Sequence, residues 1–147
     1  MKKPKGSAEI RKGRVSLSDF SYHITFTTKQ RGCVFSKFEA AHLLRKCLKE
    51  SDDLGNTKTL CFCIMPDHVH WLFELKTGSF SQAVSRVKSN YSRTSKTKPW
   101  QDGFHDHAIR SEESLINVAR YIVANPLRAG LVKSINEYSY WDSIWLE

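Results

Sequence analysis

Residues 58–65, KTLCFCIM, and 68–75, HVHWLFEL, are two apolar, β-rich runs parted only by Pro66-Asp67. So short a gap, filled by favoured turn chemistry, predicts a β-hairpin and commits the chain to an antiparallel sheet. Alternation along the second run puts Val69, Trp71, Phe73 and Leu75 on one face and His68 and His70 on the other. The apolar face belongs to a core. The two imidazoles project from the free face about 7 Å apart along the strand, close enough to converge on one cation. By itself H-x-H also reads as the polar face of a half-buried sheet. A second copy of the pattern, His105 and His107 in GFHDHAIR, shows how readily it arises.

The remaining elements follow from periodicity and punctuation. Residues 20–29 (FSYHITFTTK) alternate and predict a strand. Residues 36–51 carry apolar side chains at 38, 41, 44, 47 and 48 behind Ser36, a plausible N-cap, and predict a helix that LGN at 54–56 stops. Residues 80–95 predict a second helix, with Phe80, Val84, Val87 and Tyr91 on one side, and residues 100–110 an extended or hairpin segment. Residues 111–124 predict a third helix, capped by Ser111, with Glu112 and Glu113 where the helix dipole favours acids. Asn125 precedes Pro126, a pairing that disfavours helical geometry and is expected to end that helix. The tail YSYWDSIWLE is aromatic and is expected to pack back on the domain. This order predicts an α+β fold, an antiparallel sheet with helices on one face. The expected organisation is a single domain over 1–147, with a basic N-terminal extension (about 1–15) and an aromatic C-terminal tail (about 133–147).

A hydrophobic content of 40% excludes a disordered chain, and no apolar run approaches the ~20 residues of a membrane-spanning helix. The start, MKKPKG, leads into no apolar signal segment, so a soluble, cytoplasmic protein is expected. Without a secretory signal the four cysteines (Cys33, Cys47, Cys61, Cys63) read as buried reduced thiols, and Cys61 and Cys63 lack zinc-site spacing. The formal charge is +8. Residues 1–14 hold Lys2, Lys3, Lys5, Arg11, Lys12 and Arg14 against Glu9, and residues 78–98 hold Arg86, Lys88, Arg93, Lys96 and Lys98 against no acid. Such segments attract polyanions, above all nucleic acid. The basic tail lacks the apolar face a membrane-surface helix needs, and the plain alternative is a soluble protein that happens to be basic.

Tyr121 and Asn125 are four apart and share one side of the third helix, whose apolar residues Leu115, Val118, Ala119 and Ile122 centre elsewhere. Tyr121 is therefore placed at the rim of the buried stripe, where a boundary tyrosine normally keeps its ring buried and its hydroxyl wet.

Taken in order, MPDHVHWLFE, WQDGFHDHAIR-SEESL, ARYIVANPLRAGLV and YSYWDSIWL resemble the REP-associated tyrosine transposases, a branch of the single-tyrosine HUH transposases (HUH: two histidines flanking an apolar residue). The resemblance runs from about residue 20 to the end. The long tail and the N-P-L after the tyrosine are more similar to the REP-associated branch than to the mobile insertion-sequence branch. It implies a ferredoxin-like sheet with the HUH motif on a central strand. It further implies that His68 and His70 bind a divalent cation, Mg²⁺ or Mn²⁺, that Asn125 is the third ligand, and that Tyr121 is the nucleophile. The expected partner is single-stranded DNA carrying hairpins, handled by a monomer rather than a dimer beside the bacterial nucleoid. The basic extension 1–14 matches no motif of the family.

The residue types suit that chemistry. A phenol is a poor nucleophile near neutral pH, but it can attack a phosphodiester when aligned and when the phosphate charge is neutralised. A cation held by two imidazoles and an amide oxygen keeps open positions for phosphate oxygens. The products would be a 5′-phosphotyrosine and a free 3′-OH, and the bond energy so retained would permit rejoining. Candidate DNA contacts are Arg11, Lys12, Arg14, Arg86, Lys88, Arg93, Lys96, Lys98, Trp100 and Arg110, the cations for the backbone and the indole, with Phe104, for stacking. Two rival readings stand beside this one: a non-catalytic nucleic-acid-binding module, and a metal-dependent nuclease that activates water and uses Tyr121 structurally.

Overall fold

The computed structural model describes residues 20–145. Strand β1 (Ser21–Thr27) leads through two 3₁₀ turns, Lys29–Arg31 and Val34–Ser36, into helix α1 (Phe38–Asp53). The hairpin β2 (Thr57–Met65) and β3 (His68–Leu75) follows, then α2 (Phe80–Ser95) and β4 (His105–Ile109). Helix α3 (Glu112–Val123), the single turn α4 (Asn125–Arg128), a 3₁₀ turn Ile135–Glu137 and β5 (Trp141–Ser143) complete it. The sheet order is β4-β1-β3-β2-β5 with every neighbour antiparallel. The first four strands and the two helices between them make the ferredoxin-like βαββαβ arrangement, and β3, with its H-x-H, is the central strand of five.

The expected face assignment of β3 holds. Val69, Trp71, Phe73 and Leu75 join Tyr22, Ile24 and Phe26 of β1 in a core closed by Leu44 and Leu48 of α1 and Val84, Val87 and Tyr91 of α2. The helices do not all lie on that face. Helix α3 covers the other one, where Ala119, Ile122 and Val123 pack on Cys61, Cys63, Met65, Leu72 and Ile109. Leu72 continues the row of His68 and His70 and, with Cys61, Cys63 and Met65 of β2, makes an apolar patch on the histidine face that needs a cover of its own.

Two local expectations are revised. Ser36 does not cap α1: it closes the 3₁₀ turn that buries Phe35, and the helix begins at Phe38 behind Lys37, which makes no side-chain cap. Helix α3 does end near Asn125, at Val123, but Asn125 itself is not driven out of helical geometry. The break falls at Ala124 (ψ −2°), and Asn125 opens a new turn with Pro126 in its first positions, where a missing N–H costs nothing. The aromatic tail packs back on the domain as expected, as a fifth strand, β5, on the β2 edge. The expected Ser111 cap is present at α3, its Oγ accepting from Ser114 N, and Ser79 and Gln82 form a reciprocal capping box at α2.

Candidate active site

His70 is 7% exposed on the face beneath α3. Its Nδ1 lies 3.0 Å from His23 Nε2 and 3.3 Å from Thr25 Oγ1, both on β1. His68 Nδ1 lies 2.8 Å from Asp67 Oδ1, and Asp67 in turn receives Arg31 Nε at 2.9 Å. The two rings stand 5.0 Å apart, nearly perpendicular. Both Nδ1 atoms are thus engaged, and Nε2 of each ring is left to face a ligand. A proton on His70 Nδ1, donated to His23, is the tautomer that offers the Nε2 lone pair to a cation.

The electrostatics favour that state. Burial, reinforced by His23, His68 and Arg128, pushes His70 down to about 3, and burial with His107 pushes His23 down to about 4. Both rings are neutral near pH 7, the form in which imidazole binds metal. Asp67 is partly buried, which opposes ionisation, but hydrogen bonds from Arg31 and His68 hold it below the usual carboxylate range. On the neighbouring strand burial raises the Cys61 and Cys63 thiols to about 12, so they are inert beside the site. None of the four cysteines is in a disulfide, and Cys33 is exposed rather than buried.

Helix α3 brings Tyr121 to this cluster. Burying Ala119, Ile122 and Val123 turns Tyr121 to the rim, 53% exposed, with its ring edge-on to His70 at 6.3 Å. The guanidinium of Arg128 sits 3.8 Å above the same ring, and its Nη2 donates to Asn125 Oδ1 at 3.3 Å. Asn125 is half-buried one turn beyond Tyr121. Among the described residues no third His, Cys, Asp or Glu joins the pair in a metal-holding group. A cation on His68 and His70 would need another kind of donor, and the Asn125 amide oxygen is of a type that suits a hard ion. His68, His70 and Asn125 are thus the donors that a divalent cation would be offered here. The second pair, His105 and His107, lies exposed on the edge strand β4, two strands from the first, with His107 opposite His23.

The candidate DNA contacts divide. Arg11, Lys12 and Arg14 lie outside the described residues. Arg86, Arg93, Lys96 and Lys98 are exposed, but α2 packs on the sheet face opposite the histidines. Lys88 and Trp100 have structural occupations instead. Lys88 Nζ donates to Gln101 O and Gly103 O (3.0 and 2.7 Å), tying down the loop before β4. Trp100 is buried against Phe26, Phe35 and Tyr91 and donates to Lys88 O, so its ring is not presented to a base. Phe104 packs edge-on against Phe80. Arg110 is exposed beyond β4, over the Phe20 ring. Two site residues escaped the sequence reading, His23 and Arg128. Alternation in FSYHITFTTK set His23 on one strand face, but only the pairing of β1 with β3 places it against His70.

The model of the family "Transposase IS200 like" matches residues 16–125. A Haemophilus influenzae REP-associated tyrosine transposase is 26% identical over 113 residues, 65% of this chain and 64% of that protein. An Escherichia coli K12 REP-associated tyrosine transposase is 29% identical over 80 residues, 52% and 48% of the two lengths. The match thus spans less than two thirds of either relative. Among solved structures, a REP-associated tyrosine transposase bound to a REP hairpin superposes with a TM-score of 0.77 at 21% identity, over 86% of this chain and 78% of that one. A Deinococcus radiodurans protein described as a transposase gives 0.54 at 20% identity, over 72% and 90%. Both share the fold.

Proposed function

Because the chain belongs to the IS200-like transposase family, we propose that it cuts and rejoins single-stranded DNA through a covalent 5′-phosphotyrosine on Tyr121, next to hairpins of repetitive DNA. The observation that carries this reading is the meeting of Tyr121 with His70, a helix residue and a strand residue fifty-one positions apart in sequence, at 6.3 Å. The hairpin comes from the relative of the same fold that is bound to one.

In the proposed step the Tyr121 oxygen attacks phosphorus and gives up its proton to solvent. The P–O3′ bond breaks, and the departing 3′ oxygen takes a proton. His68 and His70, with Asn125, would hold a Mg²⁺ or Mn²⁺ ion. Such an ion supplies charge neutralisation and polarisation of the phosphate. Asp67 and His23 keep the two imidazoles oriented through their Nδ1 atoms. The α3 helix, anchored by Ile122 and Val123, holds the phenol over the sheet. Reversal of the step by a 3′-OH would reseal a strand with no other energy source.

The test is incubation with labelled single-stranded oligonucleotides carrying candidate hairpins in Mn²⁺, followed by a denaturing gel. A protein–DNA adduct that survives denaturation is the expected product. Cleavage with no adduct would instead show a nuclease using water, and binding without cleavage a recognition module.

A further inference from the structure

Arg128 touches both Tyr121 and Asn125 and has been given no role in the site. Its guanidinium lies 3.8 Å over the Tyr121 ring and donates to Asn125 Oδ1. Helix α4 sets it there, since i→i+3 spacing over one turn stacks Arg128 on Asn125. The side chain is exposed, and among the described residues no carboxylate pairs with it. The other guanidinium near the histidines, Arg31, is neutralised by Asp67. The basic residues of α2 stand on the opposite sheet face. A phosphate arriving at Tyr121 therefore meets in Arg128 an unneutralised cation lying against the ring of the nucleophile itself. A guanidinium offers five N–H donors in a fork that matches phosphate oxygens; one is used on Asn125, and a cation–π contact consumes none.

We propose that Arg128 binds the scissile phosphate directly, as a catalytic residue that grips its non-bridging oxygens while Tyr121 attacks. The proposal rests on the reading of Tyr121 as nucleophile. Its contact with the Tyr121 ring then keeps the phenol and the phosphate on one anchor, and its bond to Asn125 links that anchor to the end of the same helical path.

The cleavage position is first mapped with the wild-type protein and Mn²⁺ from the adduct. Binding is then measured in EDTA, where neither metal nor chemistry contributes, using Tyr121→Phe protein and an oligonucleotide whose mapped phosphate is natural or replaced by an uncharged methylphosphonate. The replacement should weaken binding about tenfold, and Arg128→Gln should cost about the same on natural DNA. The two losses should not add, because both remove one contact. At a phosphate two nucleotides away they should add, and Arg128→Lys should recover part of the affinity. Additive losses at the mapped phosphate, or equal affinity of the glutamine variant for natural DNA, would overturn the role of Arg128 while leaving Tyr121 intact. Failure of the wild-type protein to form any adduct would overturn both.

Discussion

The Tyr121 ring stands edge-on to the His70 imidazole, 6.3 Å between centroids and 89° between planes. An edge-on contact aims the positive rim of one ring at the negative face of the other, and it leaves the phenol hydroxyl clear of the histidine nitrogens.

Replacing Tyr121 by Phe removes the hydroxyl and keeps the ring contacts with His70 and Arg128. The melting temperature and DNA affinity should be nearly unchanged, while the adduct and cleavage vanish on a denaturing gel. Cleavage at the wild-type rate would remove Tyr121 from the mechanism.

His23→Leu takes the nearer of two partners from His70 Nδ1, leaving Thr25 Oγ1 at 3.3 Å. A ligand imidazole that loses such a partner typically costs 10–100-fold in metal affinity, so Mn²⁺ binding followed by electron paramagnetic resonance should weaken by about tenfold. An unaltered Mn²⁺ titration would show that Thr25 and packing suffice to orient His70.

Asn125→Ala should weaken Mn²⁺ binding and slow cleavage, with partial rescue at high Mn²⁺. Its side chain makes one hydrogen bond, to Arg128, so stability should fall by no more than about 1 kcal/mol. Asn125→Asp should still bind the ion. Wild-type cleavage by the alanine variant in limiting Mn²⁺ would leave the metal on two histidines and water.

The buried histidines set an acid limit on the fold. The unfolded chain takes up protons as pH falls through 6.5, whereas folded His23 and His70 resist until about 4 and about 3. Their contribution to stability is complete above pH 6.5 and is lost progressively below it, by at most about 1.4 kcal/mol per pH unit for each ring. Urea unfolding in EDTA between pH 7 and pH 5, above the range in which Asp67 titrates, should show this slope. The double variant His23→Asn, His70→Asn should flatten it, and an unchanged slope would contradict the assignment.

Lys88→Met should act on stability rather than on DNA. Losing the bonds to Gln101 O and Gly103 O leaves the 100–104 loop untethered, at a cost of about 1–3 kcal/mol. Arg86, exposed on the same helix, should show the reverse pattern on alanine substitution, with DNA affinity reduced and thermal unfolding nearly unchanged. Equal loss of DNA affinity in both variants would argue that Lys88 also meets the backbone.

What the sequence determined by itself is local. The Pro66-Asp67 hairpin, the split of β3 into an apolar row and a histidine row, and the sharing of one helical side by Tyr121 and Asn125 all follow from the two- and 3.6-residue periods of the backbone, which need no partner to be defined. The tertiary structure decided what lies opposite each row. His23 reaches His70 across forty-seven residues because β1 pairs with β3 in one register, and a slip by one residue would turn it to the other face. Helix α3 covers the histidine face and α2 the far one, which separates the basic helix from the candidate site and makes Lys88 and Trp100 parts of the scaffold. Periodicity tells which side of an element is buried; it carries no information about which sheet face that side meets. That choice is made by burial summed over the whole chain, and so it becomes visible only once the chain is folded.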